Sequence, residues 1–243
     1  MCTVTFIPKP RGGFILTSNR DEAPDRRTIR PKGYTLNGVD LVFPKDDLAG
    51  GTWLGWSAKK RVICLLNGGV TAHERKSIYR LSRGIVVTDL LASEEILMAV
   101  DVYNFDEIEP FTLVIVDWNK ELTLYELVWD GSTLHFSKKP LSPMIWSSSL
   151  LYSDEVKRKR EAWFSDFIFK NVNPSEEALL AFHKTAGEGS IKNDLIMDRG
   201  FVKTKSITQL SKSKFLTFRY EDLEISEIDM IEFLPNGVLN NTI

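Results

Sequence analysis

Cysteine and histidine are scarce, with two of the first and three of the second among 243 residues. Two cysteines cannot build a disulfide framework, and a chain of this length does not need one. The compartment is expected to be reducing. His73, His135 and His183 are too widely spaced for a ligand motif, so no metal site and no cofactor are expected, and each histidine reads as a surface or locally hydrogen-bonded residue. A Cys-x-x-Cys-His attachment for heme is missing. Charge of one sign is missing too. The formal net charge is -2, which offers nothing to attract nucleic acid or an anionic membrane. No apolar run reaches transmembrane length. Pro8, Lys9, Pro10, Arg11 and Gly12 interrupt the first apolar stretch too early for a signal peptide. A cytoplasmic protein without stable membrane insertion is therefore expected. No glycine fingerprint follows a first strand, which argues against a doubly wound dinucleotide fold.

What is present is an ordinary globular composition, 43% hydrophobic and 26% charged. With no linker or repeat in view, residues 1–243 are expected to form a single domain. Thr3–Pro8 and Phe14–Thr17 read as two strands around a Gly12-Gly13 turn. Folding that hairpin about its centre brings Cys2 almost opposite Asn19. Residues 23–40 read as a long polar excursion, with a short strand at Val39–Phe43. Gly50–Trp56 approaches another strand, and Arg61–Leu66 forms the next, closed by Asn67-Gly68-Gly69. Cys64 lies in its apolar run and reads as a small buried hydrophobe; a Cys2–Cys64 disulfide is not demanded.

Residues 77–103 turn helical, with Leu81, Ile85, Val86, Leu90 and Leu91 near 3.6-residue spacing and a fresh start after Ser93. Strands follow at Phe111–Trp118 and Leu122–Trp129, and shorter ones near His135 and Ile145. Helices are expected over Asp154–Lys170 and from Ser175 to about Thr185. A last hairpin, Phe201–Leu210 with Phe215–Tyr220, precedes a tail that can add another strand. The basic run Lys157–Arg160 reads as a solvated helix face. Hairpins outnumber long crossovers, so the class is α+β with mainly antiparallel sheets.

The chemistry gathers near the start. Removal of Met1 would leave Cys2 with a free amine and a thiol on one residue. A thiol titrates near about 8.5 and an α-amine near about 7.7–8, so the amine can accept the thiol proton and deliver it to a leaving amine. Position alone favours an incidental buried terminal residue. The cluster Asn19-Arg20-Asp21-Glu22 adds the rest. Arg20 is a candidate to hold a substrate carboxylate or stabilise a thiolate, and Asp21 to orient the amine. Glu22 is expected to face solvent or to pair with Arg26 or Arg27. Acyl transfer also needs oxyanion donors, for which the Asn67 amide or side chain and nearby glycine N–H groups are candidates. Trp53 and Trp56, flanked by glycines, are pocket candidates, although tight turns and core packing explain these glycines and tryptophans as well.

Several of these stretches together resemble the NRDE proteins, also called the transport and Golgi organisation 2 family. They are Met1-Cys2-Thr3, Asn19–Glu22, Gly50–Gly55 and Leu66–Gly69, with Tyr79–Gly84, Ser147–Tyr152 and Thr204–Thr208 further on. The resemblance implies a four-layer αββα N-terminal nucleophile hydrolase-like fold, with two stacked, mainly antiparallel sheets. It also implies kinship with cysteine-type amidases that cleave penicillin V or conjugated bile salts. Cys2 then matches their nucleophile and Asp21 the aspartate that positions its amine. Their catalytic arginine falls at Ser18 here, and this chain's arginine is Arg20. Because adjacent strand residues face opposite ways, Arg20 is expected to replace that group only where the strand twists or ends. Ser149 falls in the region that supplies a later oxyanion asparagine.

Two functions stay open. One is a Cys-dependent hydrolase of a small-molecule, non-peptide amide, using Cys2, Asp21, Arg20 and Asn67, with Asn19, Trp53, Gly68 and Ser149 at the substrate. The other is a noncatalytic binding or trafficking protein for heme or an acylated small molecule, a role the resemblance suggests.

Overall fold

The computed structural model describes residues 3–233 and 239–242, the last four as backbone alone. The chain forms two compact units. The first comprises the stretch through Asp25, Leu141–Ser147, and the chain from Tyr152 onward; the second comprises Arg26–Pro140 and Ser148–Leu151.

The first unit begins with β1 (Thr3–Lys9) and β2 (Gly13–Glu22), a run of branched and aromatic residues folded back on itself. The reversal is a short 3-10 turn in which Arg11 and Gly12 take positive φ. Thr3 pairs with Asn19, one residue on from the expected Cys2. β10 (Met144–Ser147) lies on the other side of β1, with Ser147 also across from Thr3. β11 (Lys203–Lys212), β12 (Leu216–Asp222), β13 (Glu227–Phe233) and β14 (Leu239–Thr242) complete an antiparallel sheet in the order β10-β1-β2-β11-β12-β13-β14. Between Thr204 and Ser206 the β11–β2 register shifts at a bulge.

Two helices cover one face of this sheet: α3 (Asp154–Lys170) and α4 (Glu176–Thr185). Each starts on a serine whose hydroxyl accepts a backbone N–H, Ser153 from Val156 and Ser175 from Ala178, and each carries two acids in its first turn. Ile7 and Ile15 of the sheet pack with Phe164, Leu179, Phe182 and Leu195 beneath them. Odd-numbered residues of β1 and β2 therefore face the helices, and even-numbered ones face the other way.

The second unit holds a second antiparallel sheet in strict sequence order: β3 (Thr28–Leu36), β4 (Val39–Asp46), β5 (Leu54–Ser57), β6 (Arg61–Asn67), β7 (Phe111–Asp117), β8 (Thr123–Trp129) and β9 (Leu134–Lys139). β3 occupies much of the expected excursion. Its Pro31 hides the strand in sequence, but β3 is an edge strand and the proline falls at a register shift, where a missing N–H is tolerated. α1 (Arg83–Ala92) packs against this sheet, and α2 (Ile96–Val102) follows after Ser93. A Cβ on Gly51 would sit 2.2 Å from the Gly84 carbonyl carbon, and Thr52 donates to the Gly84 oxygen. The glycines of these two motif stretches thus allow backbone to touch backbone. Cys64 is buried, as expected. Among the described residues, no helix is long and apolar enough to cross a membrane.

Candidate functional site

The polar end of β2 is buried. Asn19, Arg20 and Asp21 are each at most 2% exposed, and alternation sends Asn19 and Asp21 toward the helices and Arg20 to the opposite face.

Asn19 binds in three directions. Its amide nitrogen donates to the carbonyls of His183 (3.2 Å) and Leu195 (2.8 Å), which leaves Oδ1 facing His183 Nδ1 at 2.6 Å. The imidazole proton must therefore sit on Nδ1. Nε2 then accepts from the Thr5 hydroxyl at 2.7 Å. His183 is fully enclosed; burial, aided by the nearby Arg160 charge, lowers its pKa from 6.5 to about 3. It is neutral and joins α4 to strands far away in sequence, so the expected surface or local role does not hold.

Asp21 is gripped at both oxygens. The Tyr152 hydroxyl donates to Oδ2 at 2.7 Å and the Thr204 hydroxyl to Oδ1 at 2.6 Å. Thr204 in turn accepts from the Met197 N–H. The bulge beside Thr204 lets it pair with Asp21 while Ser206 pairs with Arg20. Arg160 stacks on the Tyr152 ring, its guanidinium carbon 3.7 Å from the centroid, with Arg199 at 5.1 Å. The same Arg160 donates to the Thr3 hydroxyl and to the carbonyls of Asn193 and Asp194. Arg160 was expected on a solvated helix face. It is instead fully buried, because a guanidinium whose three nitrogens all donate hydrogen bonds can leave water. Arg26 pairs with Asp46, and the Glu22 carboxylate accepts from the Ala23 N–H.

β2 continues without interruption through Arg20, so Ser18 and Arg20, two residues apart, share a face. The expected obstacle to exchanging their roles does not arise from strand alternation. Cys2 lies outside the described residues.

In the second unit, Asn67, Gly68 and Ser149 come together. The Ser148 hydroxyl donates to the Asn67 carbonyl at 2.6 Å. A Cβ on Gly68, whose φ is +91°, would meet Ser149 Oγ at 2.2 Å. The Gly68 N–H is already committed to the Pro110 carbonyl, which removes it as an oxyanion donor. The Asn67 side-chain amide makes no hydrogen bond among the described residues, and Ser149 Oγ is buried without a partner. Trp53 is buried one strand away, where its carbonyl accepts from Leu65 N.

Tyr152 and Thr204 fall within stretches noted in the sequence, but nothing local assigned them to Asp21. Arg160 and His183 carried no signal at all.

The chain is similar in structure to known proteins across nearly its whole length. A variant of conjugated bile acid hydrolase from Clostridium perfringens aligns with a TM-score of 0.59 at 10% identity, covering 99% of this chain and 96% of that one. The N-acylethanolamine-hydrolyzing acid amidase ortholog of Caenorhabditis elegans gives 0.59 at 14%, covering 86% and 92%. Penicillin V acylase from Agrobacterium tumefaciens gives 0.51 at 12%, covering 100% and 98%. These likenesses bear out the α+β class and the N-terminal nucleophile hydrolase-like fold. No curated protein matches the chain by sequence. The sequence model for Transport and Golgi organisation 2 matches residues 1–213, so the chain belongs to that family.

Proposed function

We propose that this protein is a Cys-dependent hydrolase of a small-molecule, non-peptide amide, with residues 1–243 acting as a single catalytic domain and Cys2 as its nucleophile after loss of Met1. The observation that carries this reading is the grip on Asp21. A buried carboxylate held at both oxygens by Tyr152 and Thr204 sits on the neighbouring strand, two residues beyond the partner of Thr3. Thr3, bonded to Cys2, is itself held by strand pairing on both sides and by Arg160. Such anchoring gives a nucleophile and its base a constant setting. The fold shared with amide-cleaving proteins supports the same reading.

In the proposed reaction the free amine of Cys2 takes the thiol proton. The thiolate adds to the amide carbonyl, and the C–N bond breaks as the amine returns its proton to the leaving nitrogen. Water then cleaves the thioester, giving a carboxylic acid and regenerating the thiol. Asp21 orients the Cys2 amine, Arg20 binds or polarises the substrate, and the Asn67 side chain supports the oxyanion. Trp53, Gly68 and Ser149 are the proposed surroundings of the substrate; Asn19, proposed from sequence for the same role, has its amide spent on His183 and Leu195 and holds β2 in place instead. A cytoplasmic location completes the reading.

The test is intact mass of untagged protein before and after a limiting thiol-reactive probe, with the labelled peptide identified. Loss of Met1 and rapid, pH-dependent labelling at Cys2 are expected, while buried Cys64 stays unlabelled until unfolding. Retained Met1, or an inert Cys2, would overturn the hydrolase and favour a noncatalytic carrier of heme or an acylated small molecule.

A further inference from the structure

In the first unit an open groove of about 500 Å3 runs between α3 and α4. Trp163 and Phe167 of α3 and Phe182 of α4 form its apolar lining, with the Phe167 and Phe182 rings 4.8 Å apart. α4 meets the groove with Ala178 and Ala181, three residues apart on one helix face. Alanines opposite tryptophan and phenylalanine leave room that the chain's own side chains do not fill. Packed helices are otherwise as dense as a molecular crystal, so a gap of this size suits a side chain from elsewhere.

The rim carries both signs of charge. Asp166 and Lys170, one turn apart on α3, line the groove, and neither makes a hydrogen bond or ion pair among the described residues. The other lysines of the two helices are paired: Lys157 with Asp154, Lys159 with Glu188 and Lys184 with Glu221. Phe169, three residues on from Asp166, is 86% exposed. A lone exposed phenylalanine is ordinary, but this one adjoins a hole lined by aromatic rings. Ala162 and Ser165, on the same helix face, are small and exposed, so a second helix can come close. A two-fold interface needs one surface to hold both halves of every contact, a knob with its hole and a cation with its anion. This surface holds both.

We propose that the α3–α4 groove is where two copies of this chain meet as a two-fold dimer. Phe169 of each copy enters the groove of the other, and Asp166 of each pairs with Lys170 of the other. The two contacts agree in register. Antiparallel α3 helices that set Asp166 against the other copy's Lys170 also set Phe169 against its Phe167, a lining residue of the groove. Symmetry makes each contact occur twice, so three residues supply two aromatic anchors and two ion pairs. The proposal rests on the first unit alone and does not depend on the hydrolase reading.

Sedimentation velocity of the full chain over a range of concentrations tests this. The mass is expected to rise from one chain to two across the micromolar range, as for an interface of modest area. Asp166→Lys and Lys170→Glu should each weaken association at least about tenfold, because each sets like charges face to face twice. Mixed in equal amounts, the two variants should form a heterodimer, since one then brings two cations to the rim and the other two anions. Phe169→Ala should weaken association by a similar factor. All three side chains are exposed, so the far-ultraviolet circular dichroism of each variant should match that of the native chain. A dimer untouched by the charge reversals, or variants that fail to pair when mixed, would overturn the two-fold interface. A native chain that stays monomeric throughout would overturn it as well and leave the groove to a helix of another protein.

Discussion

Asn19 and His183, 164 residues apart in sequence, fix each other's orientation: the Asn19 amide nitrogen is spent on two carbonyls, so its oxygen can only receive the imidazole Nδ1 proton. The first residue of the NRDE sequence thus acts as a clamp between a strand and α4. It turns toward the helices and away from the face that carries Arg20.

That clamp makes stability depend on pH. The folded pKa of His183 is lowered to about 3, against 6.5 for the free side chain. Below 6.5 the unfolded chain takes up a proton that the folded one refuses. The contribution is therefore complete above about pH 6.5 and falls away toward pH 3, by up to about 1.4 kcal/mol per unit. Urea unfolding at pH 7 and pH 5 should show the native protein losing about 2 kcal/mol more than His183→Gln over that interval. Parallel losses in the two proteins would show that His183 is not held neutral.

Tyr152→Phe and Thr204→Val each remove one donor from the Asp21 carboxylate. Hydrogen bonds to charged groups contribute about 1.5–3 kcal/mol, so each change should lower unfolding free energy by an amount in that range. The double variant should cost more than the sum of the singles, because it leaves the buried carboxylate bare of both. If Asp21 orients the catalytic amine, kcat should fall in these variants while KM changes little. Unchanged kcat alongside lowered stability would confine the pair to a structural role.

Arg160 unites the Thr3 hydroxyl, the Tyr152 ring and the carbonyls of Asn193 and Asp194. Lysine keeps the charge but has no planar fork, so Arg160→Lys should leave carbonyls unsatisfied and cost about 3 kcal/mol or more. Denaturant titration measures this directly. A loss below about 1 kcal/mol, the usual worth of an exposed ion pair, would mean that the guanidinium is not the buried hub described.

Two glycines with positive φ separate backbone strain from close approach. Gly38, at +76°, has open space where a Cβ would point. Gly38→Ala should cost about 1–2 kcal/mol from the left-handed backbone alone. Gly68→Ala would add a Cβ 2.2 Å from Ser149 Oγ and 2.9 Å from Leu150 N, so it should cost distinctly more. Equal losses would show that the Ser149–Leu150 segment gives way freely.

Much of the element order was legible because it is written in local patterns. The expected bounds of α3 agree with Asp154–Lys170, where a serine cap, two acids and a terminal Asn171 delimit a helical run. The first hairpin was legible as well, but its pairing moved by one residue. A single-residue change of register exchanges the faces of every side chain, so the pairing of Thr3 with Asn19 could not be settled from spacing. β3 escaped notice because proline usually argues against a strand, and only its place at a sheet edge excuses Pro31.

Sequence by itself determined the family, the hairpin that brings Thr3 to the polar end of β2, and the group of residues worth suspecting. Periodicity, caps and turn residues act over a few positions and can be read there. Tertiary structure decided what each suspect does. The partners of Asp21 lie 131 and 183 residues away, at Tyr152 and Thr204. Whether a buried polar group is satisfied depends on angstrom distances between such remote elements, and no local pattern encodes them. The same reason hid Arg160 in a run of basic residues and left the groove between α3 and α4 to be found only in the folded chain.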